Sequence, residues 1–271
     1  YTAPYPLGSV LGLYPLRFLP TLAPPAATVA GLAGCAPHIL AAYPSHLHEI
    51  LAASGAEDLR RIRRRLCVVT TNSEHSTRSE RDAFAQAFGV PVFDEYSTEE
   101  LGRVAYECPH GAYHLFDELV HLEEVDGQLV GTNLNEWAMP ILRYEQGDLG
   151  ALAPAGCPCG SPRPLLASLE GRRGDAFHLP AGRVLTPGFL LDACYAVALG
   201  GVAVRDYQLV LRDGAVEFHY VPAGAPQDDD VRRILEEALL TRGGARLVVR
   251  AAATLPFERH GAKRRQLVVA P

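Results

Sequence analysis

Residues 66–102 read LCVVTTNSEHSTRSERDAFAQAFGVPVFDEYSTEELG, and this stretch decides the fold class. Leu66–Thr71 is a short apolar run that predicts a buried strand, and Val90–Asp94 predicts a second strand. Ser76–Phe88 lies between them as a predicted helix, with Thr77 as its cap and Glu80 three residues later. A strand–helix–strand unit with short connections favours a parallel pair, with functional groups at the carboxyl ends of the strands. We therefore predict an α/β fold with a site at those strand ends.

The flanking sequence predicts a large unit followed by a smaller one. Upstream, Ser45 is the predicted N-cap of a helix. Residues 103–155 predict antiparallel strands, with a hairpin turn at Asp126-Gly127. Residues 171–188 are rich in Gly and Arg and predict a boundary. Beyond it, short strands and a helix at Asp228–Thr241 predict a small α+β unit.

The composition excludes several classes of protein. Hydrophobic residues make up 48% of the chain and charged residues 21%, which is typical of a globular protein. A net charge of −6 argues against a general binder of nucleic acid or anionic membranes, because neither would be attracted at long range. The sequence has no apolar run of 18 residues and no N-terminal signal pattern, so we expect a cytoplasmic protein without a membrane span.

The segment from Asp94 to Gly102 is an acidic, hydroxyl-rich loop directly after a predicted buried strand. Carboxylate oxygens suit Mg²⁺, and the ring of Tyr96 could stack on a nucleobase, so the loop could hold a metal-bound phosphate. Composition alone favours a solvated turn instead.

Three short motifs have weaker signals of their own. Residues 143–148 (RYEQGD) end in a Gly-Asp turn whose aspartate could accept two hydrogen bonds from a ribose diol. Residues 171–175 (GRRGD) could form a hinge, and residues 259–265 (RHGAKRR) place a lysine after a glycine, where it could bind a phosphate. Taken singly, each is also a common turn, linker or basic surface segment.

The cysteines divide into two groups. Cys35, Cys67 and Cys194 lie in apolar stretches and are predicted to be small buried hydrophobic residues. The segments Cys108-Pro-His110-Gly-Ala-Tyr-His114 and Cys157-Pro-Cys159 lie in loop-like sequence and carry thiol and imidazole groups, which suit tetrahedral Zn²⁺. The predicted ligands are Cys108, His114, Cys157 and Cys159, with His110 as the alternative to His114; free buried cysteines are the other interpretation.

The order of these motifs resembles the adenylate-forming superfamily of acyl-CoA synthetases, adenylation domains and luciferases. The two cysteine segments resemble its phenylacetate–CoA ligase branch. The resemblance covers essentially the whole chain, and implies that residues 1–172 are the C-terminal portion of the large adenylation domain and that 173–271 are a small mobile α+β domain.

The resemblance also implies roles for individual residues on the nucleotide's base side. Tyr96 matches the aromatic residue that stacks on adenine, and Asp94 matches a position near the adenine amino group. Glu100, two residues before Gly102, matches the Mg²⁺ carboxylate. Ser97 replaces the family's usual glycine and Glu99 stands where a hydroxyl is usual, so Glu99 could share the metal role.

Further roles follow for the ribose and phosphate side. Asp148 matches the ribose-binding aspartate, and Arg172 matches the arginine that contacts ribose or phosphate. Lys263 matches the lysine that bridges the carboxylate and the α-phosphate during adenylation. Gly174 stands where the family hinge usually has an acidic residue, with Asp175 next.

The implied activity is ligation of a carboxylic acid to a thiol through an acyl-adenylate. The implied reactants and cofactors are ATP, Mg²⁺ and an acceptor thiol, which comes from CoA or from the phosphopantetheine of an acyl carrier protein. Zn²⁺ would have a structural role. An aryl acid fits the branch as substrate, and a homodimer is left open. The family's phosphate loop has no counterpart in residues 1–42, so the family's N-terminal portion is absent from this sequence. We expect that either the native protein is longer or this chain alone is inactive. The alternative is a non-catalytic, zinc-stabilised nucleotide-binding or scaffold module.

Overall fold

The computed structural model describes residues 15–240, 246–256 and 266–270. Within them the α-helices are α1 (Pro25–Cys35), α2 (Pro44–Ala53), α3 (Ala56–Arg63), α4 (Arg78–Phe88), α5 (Pro187–Leu199) and α6 (Asp228–Leu240). The first strands are β1 (Ile39–Ala42), β2 (Val68–Asn72), β3 (Val92–Thr98), β4 (Gly102–Glu107), β5 (Tyr113–Leu115), β6 (Val120–Val125), β7 (Gln128–Asn133), β8 (Tyr144–Ala153) and β9 (Leu165–Arg172). The later strands are β10 (Phe177–Leu179), β11 (Arg183–Leu185), β12 (Val204–Arg212), β13 (Ala215–Pro222), β14 (Arg246–Ala251) and β15 (Leu267–Val269).

The first nine strands form one sheet in the order β1-β2-β3-β4-β5-β9-β8-β7-β6. Strands β1, β2 and β3 are parallel, and every later pair in the sheet is antiparallel. The predicted α/β class, the parallel pair and the antiparallel region are therefore confirmed. Because β2 and β3 run in the same direction, their carboxyl ends lie at the same edge of the sheet.

Helix α4 supplies the crossover between β2 and β3. Thr77 Oγ1 accepts a hydrogen bond of 3.2 Å from the backbone N–H of Glu80, so the predicted cap is present. Phe84 and Phe88 are buried in the core cluster that α4 shares with β2. Gly89 ends the helix at φ +71°, a left-handed conformation that favours glycine.

Helix α2 begins differently from the prediction. It starts at Pro44, with Tyr43 as the N-cap residue, and Ser45 lies inside the first turn. Proline is suited to the first helical position because it has a fixed φ and no N–H to satisfy. The N–H and hydroxyl of Ser45 are both used by the Glu74 carboxylate, at 3.0 and 2.9 Å. The predicted Ser45 cap was therefore wrong.

The C-terminal part has its own sheet and core. Strands β14-β13-β12-β15 form a four-stranded sheet, and β10 pairs with β11. Phe218, Tyr220 and Leu235 are fully buried in a core cluster whose members all lie between Phe177 and Leu267. The nine-stranded sheet thus ends at Arg172 and the two smaller sheets follow it in sequence, although the division into domains stays a prediction.

Two of the three cysteines expected in the core differ from the prediction. Cys194 is buried, Cys35 is half-buried and Cys67 is exposed. Cys67 lies just before β2 begins, and its neighbour Leu66 fills the core there instead. Within the described residues, no helix combines the length and apolar character needed to cross a membrane.

Candidate functional site

A cleft of about 620 Å³ opens at the carboxyl ends of β2 and β3. Residues 73–75 after β2 and residues 94–98 of β3 line one side. Asp148 from β8 and Arg172 from β9 line the other. The cleft lies at the strand ends where the sequence predicts a site, and four of the predicted site residues line it.

Tyr96 and Asp148, both of which line the cleft, contact each other directly. The Tyr96 hydroxyl donates a hydrogen bond of 2.6 Å to Asp148 Oδ2. Gln146 Nε2 donates one of 2.6 Å to the Tyr96 hydroxyl, so this phenol is both donor and acceptor. Gln146 was not among the predicted site residues. Gln146 lies two residues before Asp148 in the same short motif, and this proximity in sequence could have identified it.

Arg172 approaches Asp148 from the neighbouring strand. The two residues are opposite each other in the β8–β9 register, and Arg172 Nε lies 3.6 Å from Asp148 Oδ1. Gly147 precedes the aspartate at φ +81°, a conformation that favours glycine and explains the Gly-Asp pair. About two thirds of the Arg172 side chain is exposed, so the guanidinium is available to a ligand in the cleft.

The electrostatics of Asp148 follow from its burial, because only 6% of the residue is exposed. Burial raises the pKa of Asp148, and the charge of Glu100 adds to this effect. The hydrogen bond from Tyr96 and the charge of Arg172 lower the pKa, but the net shift is upward. Burial and the adjacent Asp148 carboxylate raise the pKa of Tyr96, so the phenol stays protonated as a donor. The carboxylate thus lies between a neutral hydrogen-bond donor, Tyr96, and an exposed cation, Arg172.

The two acidic residues of the loop differ in position. Glu100 is half-buried, and the Tyr144 hydroxyl lies 3.5 Å from its Oε1 atom, a long contact. Its charge raises the pKa of Asp148, although Glu100 is not among the described residues that line the cleft. Glu99 is exposed. The Mg²⁺ role of Glu100, and a share of it for Glu99, remain predictions.

Asp94 lies on the floor of the cleft and is 6% exposed. Its carboxylate accepts hydrogen bonds from Thr71 Oγ1, from Ser76 Oγ at 3.1 Å and from Tyr113 Oη at 2.8 Å. Three donors, from β2, from the loop before α4 and from β5, therefore fix the orientation of this side chain. Lys263, the remaining predicted catalytic residue, lies outside the described residues.

A second constellation lies at the turn between β4 and β5. Cys108, His114, Cys157 and Cys159 bring their ligand atoms within 4.8 Å of one another. Cys108 Sγ is 3.6 Å from Cys157 Sγ, and Cys159 Sγ is 3.2 Å from His114 Nε2. His110 is exposed and is not a member of this group.

The donor set fits a structural zinc ion. Zn–S bonds of about 2.3 Å in a tetrahedron place sulfur atoms about 3.8 Å apart, close to the distance between Cys108 and Cys157. His114 is fully buried, and two of the three cysteines, Cys108 and Cys157, are also buried. These three donors are therefore shielded from water. Borderline-soft donors of this kind favour zinc over magnesium or calcium. Such an ion would join the β4–β5 turn to the loop between β8 and β9.

Similarity to known proteins is found at the level of structure. No protein-family model matches the sequence, and no curated protein sequence is similar to it. The chain superposes on 2-hydroxyisobutyryl-CoA ligase in the postadenylation state with a TM-score of 0.75 at 20% identity, covering 91% of this chain and 57% of that one. It superposes on the anthranilate-CoA ligase AuaEII with a TM-score of 0.63 at 13% identity, covering 90% and 51%. For the benzoate-CoA ligase of Burkholderia xenovorans LB400 the TM-score is 0.58 at 15% identity, covering 87% and 52%.

The described chain therefore has the fold of the adenylate-forming acid–CoA ligases, and spans about half the length of these structures. The comparisons do not single out the phenylacetate–CoA ligase branch. The ligase that superposes with a TM-score of 0.75 in its postadenylation state gives 0.53 in its thioesterification state.

Proposed function

We propose that this chain is part of an ATP-dependent ligase that activates a carboxylic acid as an acyl-adenylate and passes the acyl group to a thiol. The observation that carries the proposal is the convergence of Asp94, Tyr96, Asp148 and Arg172 on one cleft. These four residues come from three strands, and the same four were assigned to one nucleotide from sequence motifs. The structural likeness to acid–CoA ligases supports the reaction class.

In this proposal the cleft holds ATP by its nucleoside end. The Asp148 carboxylate accepts hydrogen bonds from the ribose hydroxyls, and Arg172 contacts the ribose or a phosphate. Tyr96 packs against adenine and at the same time orients Asp148 through its hydroxyl group. Glu100 would hold Mg²⁺, which would neutralise phosphate charge.

The chemistry has two steps. The substrate carboxylate attacks the α-phosphorus, the bond to the β-phosphate oxygen breaks, and pyrophosphate leaves. Lys263 stabilises the negative charge that develops on the pentacoordinate phosphorus. A thiolate, from CoA or a carrier-protein phosphopantetheine, then attacks the acyl carbonyl and expels AMP. Between the steps the small domain, residues 173–271, rotates.

Zinc has a structural part in this proposal. Cys108, His114, Cys157 and Cys159 would occupy all four positions of a tetrahedral ion, which leaves no open position for a substrate. The ion would hold the β4–β5 turn against the loop before β9. No chemical step is assigned to it.

The test is acid-dependent exchange between ATP and pyrophosphate, measured on the full-length protein with a panel of aryl and aliphatic carboxylic acids. We expect exchange with at least one acid, and its loss in Lys263→Ala. Arg264→Ala removes the neighbouring cation of the same basic run and should retain exchange. Lys263 is the only lysine among the 25 Lys and Arg residues, so amine-directed labelling of its peptide should also fall when ATP is bound.

Two results would contradict the proposal. Exchange that survives Lys263→Ala would remove the proposed role of the lysine. Nucleotide binding without exchange for any acid in the full-length protein would favour the alternative, a non-catalytic nucleotide-binding or scaffold module.

A further inference from the structure

A buried network lies directly behind Asp94 and has no part in the reaction as proposed. The Asp94 backbone N–H donates a hydrogen bond of 3.0 Å to Glu107 Oε2. Glu107 is 5% exposed and forms an ion pair with Arg81, whose Nε lies 3.0 Å from the same oxygen. Arg81 Nη1 also donates a hydrogen bond of 3.0 Å to Ser76 Oγ, which itself donates to the Asp94 carboxylate. The network therefore holds both the backbone and the side chain of Asp94.

The hairpin of β4 and β5 supplies two members of this network. Glu107 and Tyr113 are opposite each other in the antiparallel register, so their side chains point to one face. That face contacts Asp94, through the Glu107 carboxylate and through the Tyr113 hydroxyl at 2.8 Å. Each of the two residues therefore fixes a different part of the aspartate.

The other face of the same hairpin carries the cysteine–histidine cluster. Tyr106 and His114 are the adjacent pair in the register, and alternation turns them away from Asp94. His114 follows Tyr113 in sequence, and Cys108 follows Glu107. Both His114 and Cys108 belong to the cluster. A metal ion at this cluster would fix the hairpin from one face while its other face holds Asp94.

We propose that Tyr113 and Glu107 are positioning residues for Asp94, and that the metal bound by the cluster sets their position, so that selection of adenine depends on a site outside the cleft. This inference rests on the proposed function, because it takes Asp94 as the residue near the adenine amino group. Asp94 Oδ1 already accepts two hydrogen bonds, whereas Oδ2 accepts one, from Tyr113. A carboxylate oxygen can accept two, so Oδ2 can take one more from an exocyclic amino group.

The predicted consequence is base selectivity. Adenine presents an amino donor at position 6, whereas hypoxanthine presents an acceptor that a carboxylate disfavours. A well-placed Asp94 should prefer ATP to ITP, and a displaced one should lose part of that preference. A residue with only a general structural role would change the use of both nucleotides in proportion, so the ratio distinguishes positioning from stability.

The first experiment compares Tyr113→Phe with the wild type in the full-length protein. The change keeps the ring and removes the hydroxyl group that donates to Asp94. We expect the ratio of kcat/KM for ATP to that for ITP to fall about five-fold, mostly through KM for ATP, as for one hydrogen bond of ordinary strength. Tyr106→Phe is the matched control, since it removes a hydroxyl group from the other face of the same hairpin, and its ratio should equal that of the wild type.

The second experiment tests the metal by equilibrium binding, without turnover. AMP and IMP are titrated calorimetrically against the full-length protein containing zinc and against Cys159→Ser, which removes the exposed thiol of the cluster. We expect bound zinc to be lost. We also expect the ratio of the affinity for AMP to that for IMP to fall, as the ATP:ITP ratio is expected to fall in Tyr113→Phe. Affinities for both nucleotides that fall equally, or remain unchanged, would overturn the role of the metal.

The outcomes separate this inference from the function on which it rests. Acid-dependent exchange in the wild type together with an unchanged ATP:ITP ratio in Tyr113→Phe would overturn the positioning role and leave the function standing. Absence of exchange in the wild type for every acid tested would overturn both.

Discussion

Replacing Tyr96 by phenylalanine separates two roles that one side chain combines. The ring stays and can still pack on adenine, but the hydroxyl group that donates to Asp148 Oδ2 and accepts from Gln146 Nε2, each at 2.6 Å, is lost. A hydrogen bond to a charged acceptor contributes about 1.5–3 kcal/mol, and its loss leaves a buried carboxylate short of a donor. We therefore expect the free energy of unfolding to fall by about 2 kcal/mol, which lowers Tm by about 4–8 °C.

The same change should act on nucleotide binding. An aspartate without its fixed donor is oriented less well toward the ribose, so KM for ATP should rise about ten-fold while kcat changes little. The Tyr96 hydrogen bond also lowers the pKa of Asp148 against the effect of burial. Removing it raises that pKa further, and because the ionised carboxylate binds the ribose, the acid limb of kcat/KM should move to higher pH.

Tyr220→Phe is a control with matched chemistry. The Tyr220 hydroxyl donates a hydrogen bond of 2.7 Å to Asp228 Oδ1 and accepts one of 2.8 Å from the backbone N–H of Gln227, away from the cleft. It should lower Tm comparably and leave KM for ATP and the pH profile unchanged. Equal effects of the two variants on KM, or no change in KM and pH profile for Tyr96→Phe, would refute the assignment of Tyr96 and Asp148 to one nucleotide site.

Three other perturbations test separate parts of the site. Cys159→Ser should abolish bound zinc and lower Tm because a metal ligand is lost. Cys67→Ser, at an exposed thiol outside the cluster, should change neither the zinc content nor Tm. Metal analysis and thermal unfolding measure the two effects. Glu100→Gln should raise the Mg²⁺ concentration for half-maximal exchange by about ten-fold or more, since an amide is a weaker ligand than a carboxylate; an unchanged Mg²⁺ dependence would exclude Glu100 as the ligand. Burial, together with the nearby charge of Arg81, lowers the pKa of His75 in the folded protein. The unfolded chain therefore takes up the proton first as the pH falls, so the free energy of unfolding should decrease below about pH 6.5. His75→Asn should weaken that fall in urea midpoints measured at pH 5.5 and 7.5.

The fold was predictable where periodicity and turn chemistry agree. The apolar runs around Val69 and Val92 and the Thr77 cap define a strand–helix–strand unit, and Asp126-Gly127 takes the positive φ angles that its hairpin needs. Ser45 shows the limit of this reasoning, because a good capping side chain was bound instead by Glu74, from a loop distant in sequence. Local patterns do not reveal which long-range partner competes for a side chain.

The site was predictable as a set of residue types and less so as a set of contacts. Order along the chain assigned Tyr96 and Asp148 to one nucleotide, but their direct hydrogen bond depends on which strands are neighbours in the sheet. The network behind Asp94 was missed for the same reason, since Glu107 and Tyr113 have no motif of their own and meet Asp94 only through strand pairing.

A crystal structure of the full-length protein with AMP is the most direct test of the central claim. The proposal predicts both ribose hydroxyls within hydrogen-bond distance of the Asp148 carboxylate, with adenine against the Tyr96 ring and its amino group toward Asp94. AMP bound elsewhere on the molecule, with this cleft free of nucleotide, would contradict the account.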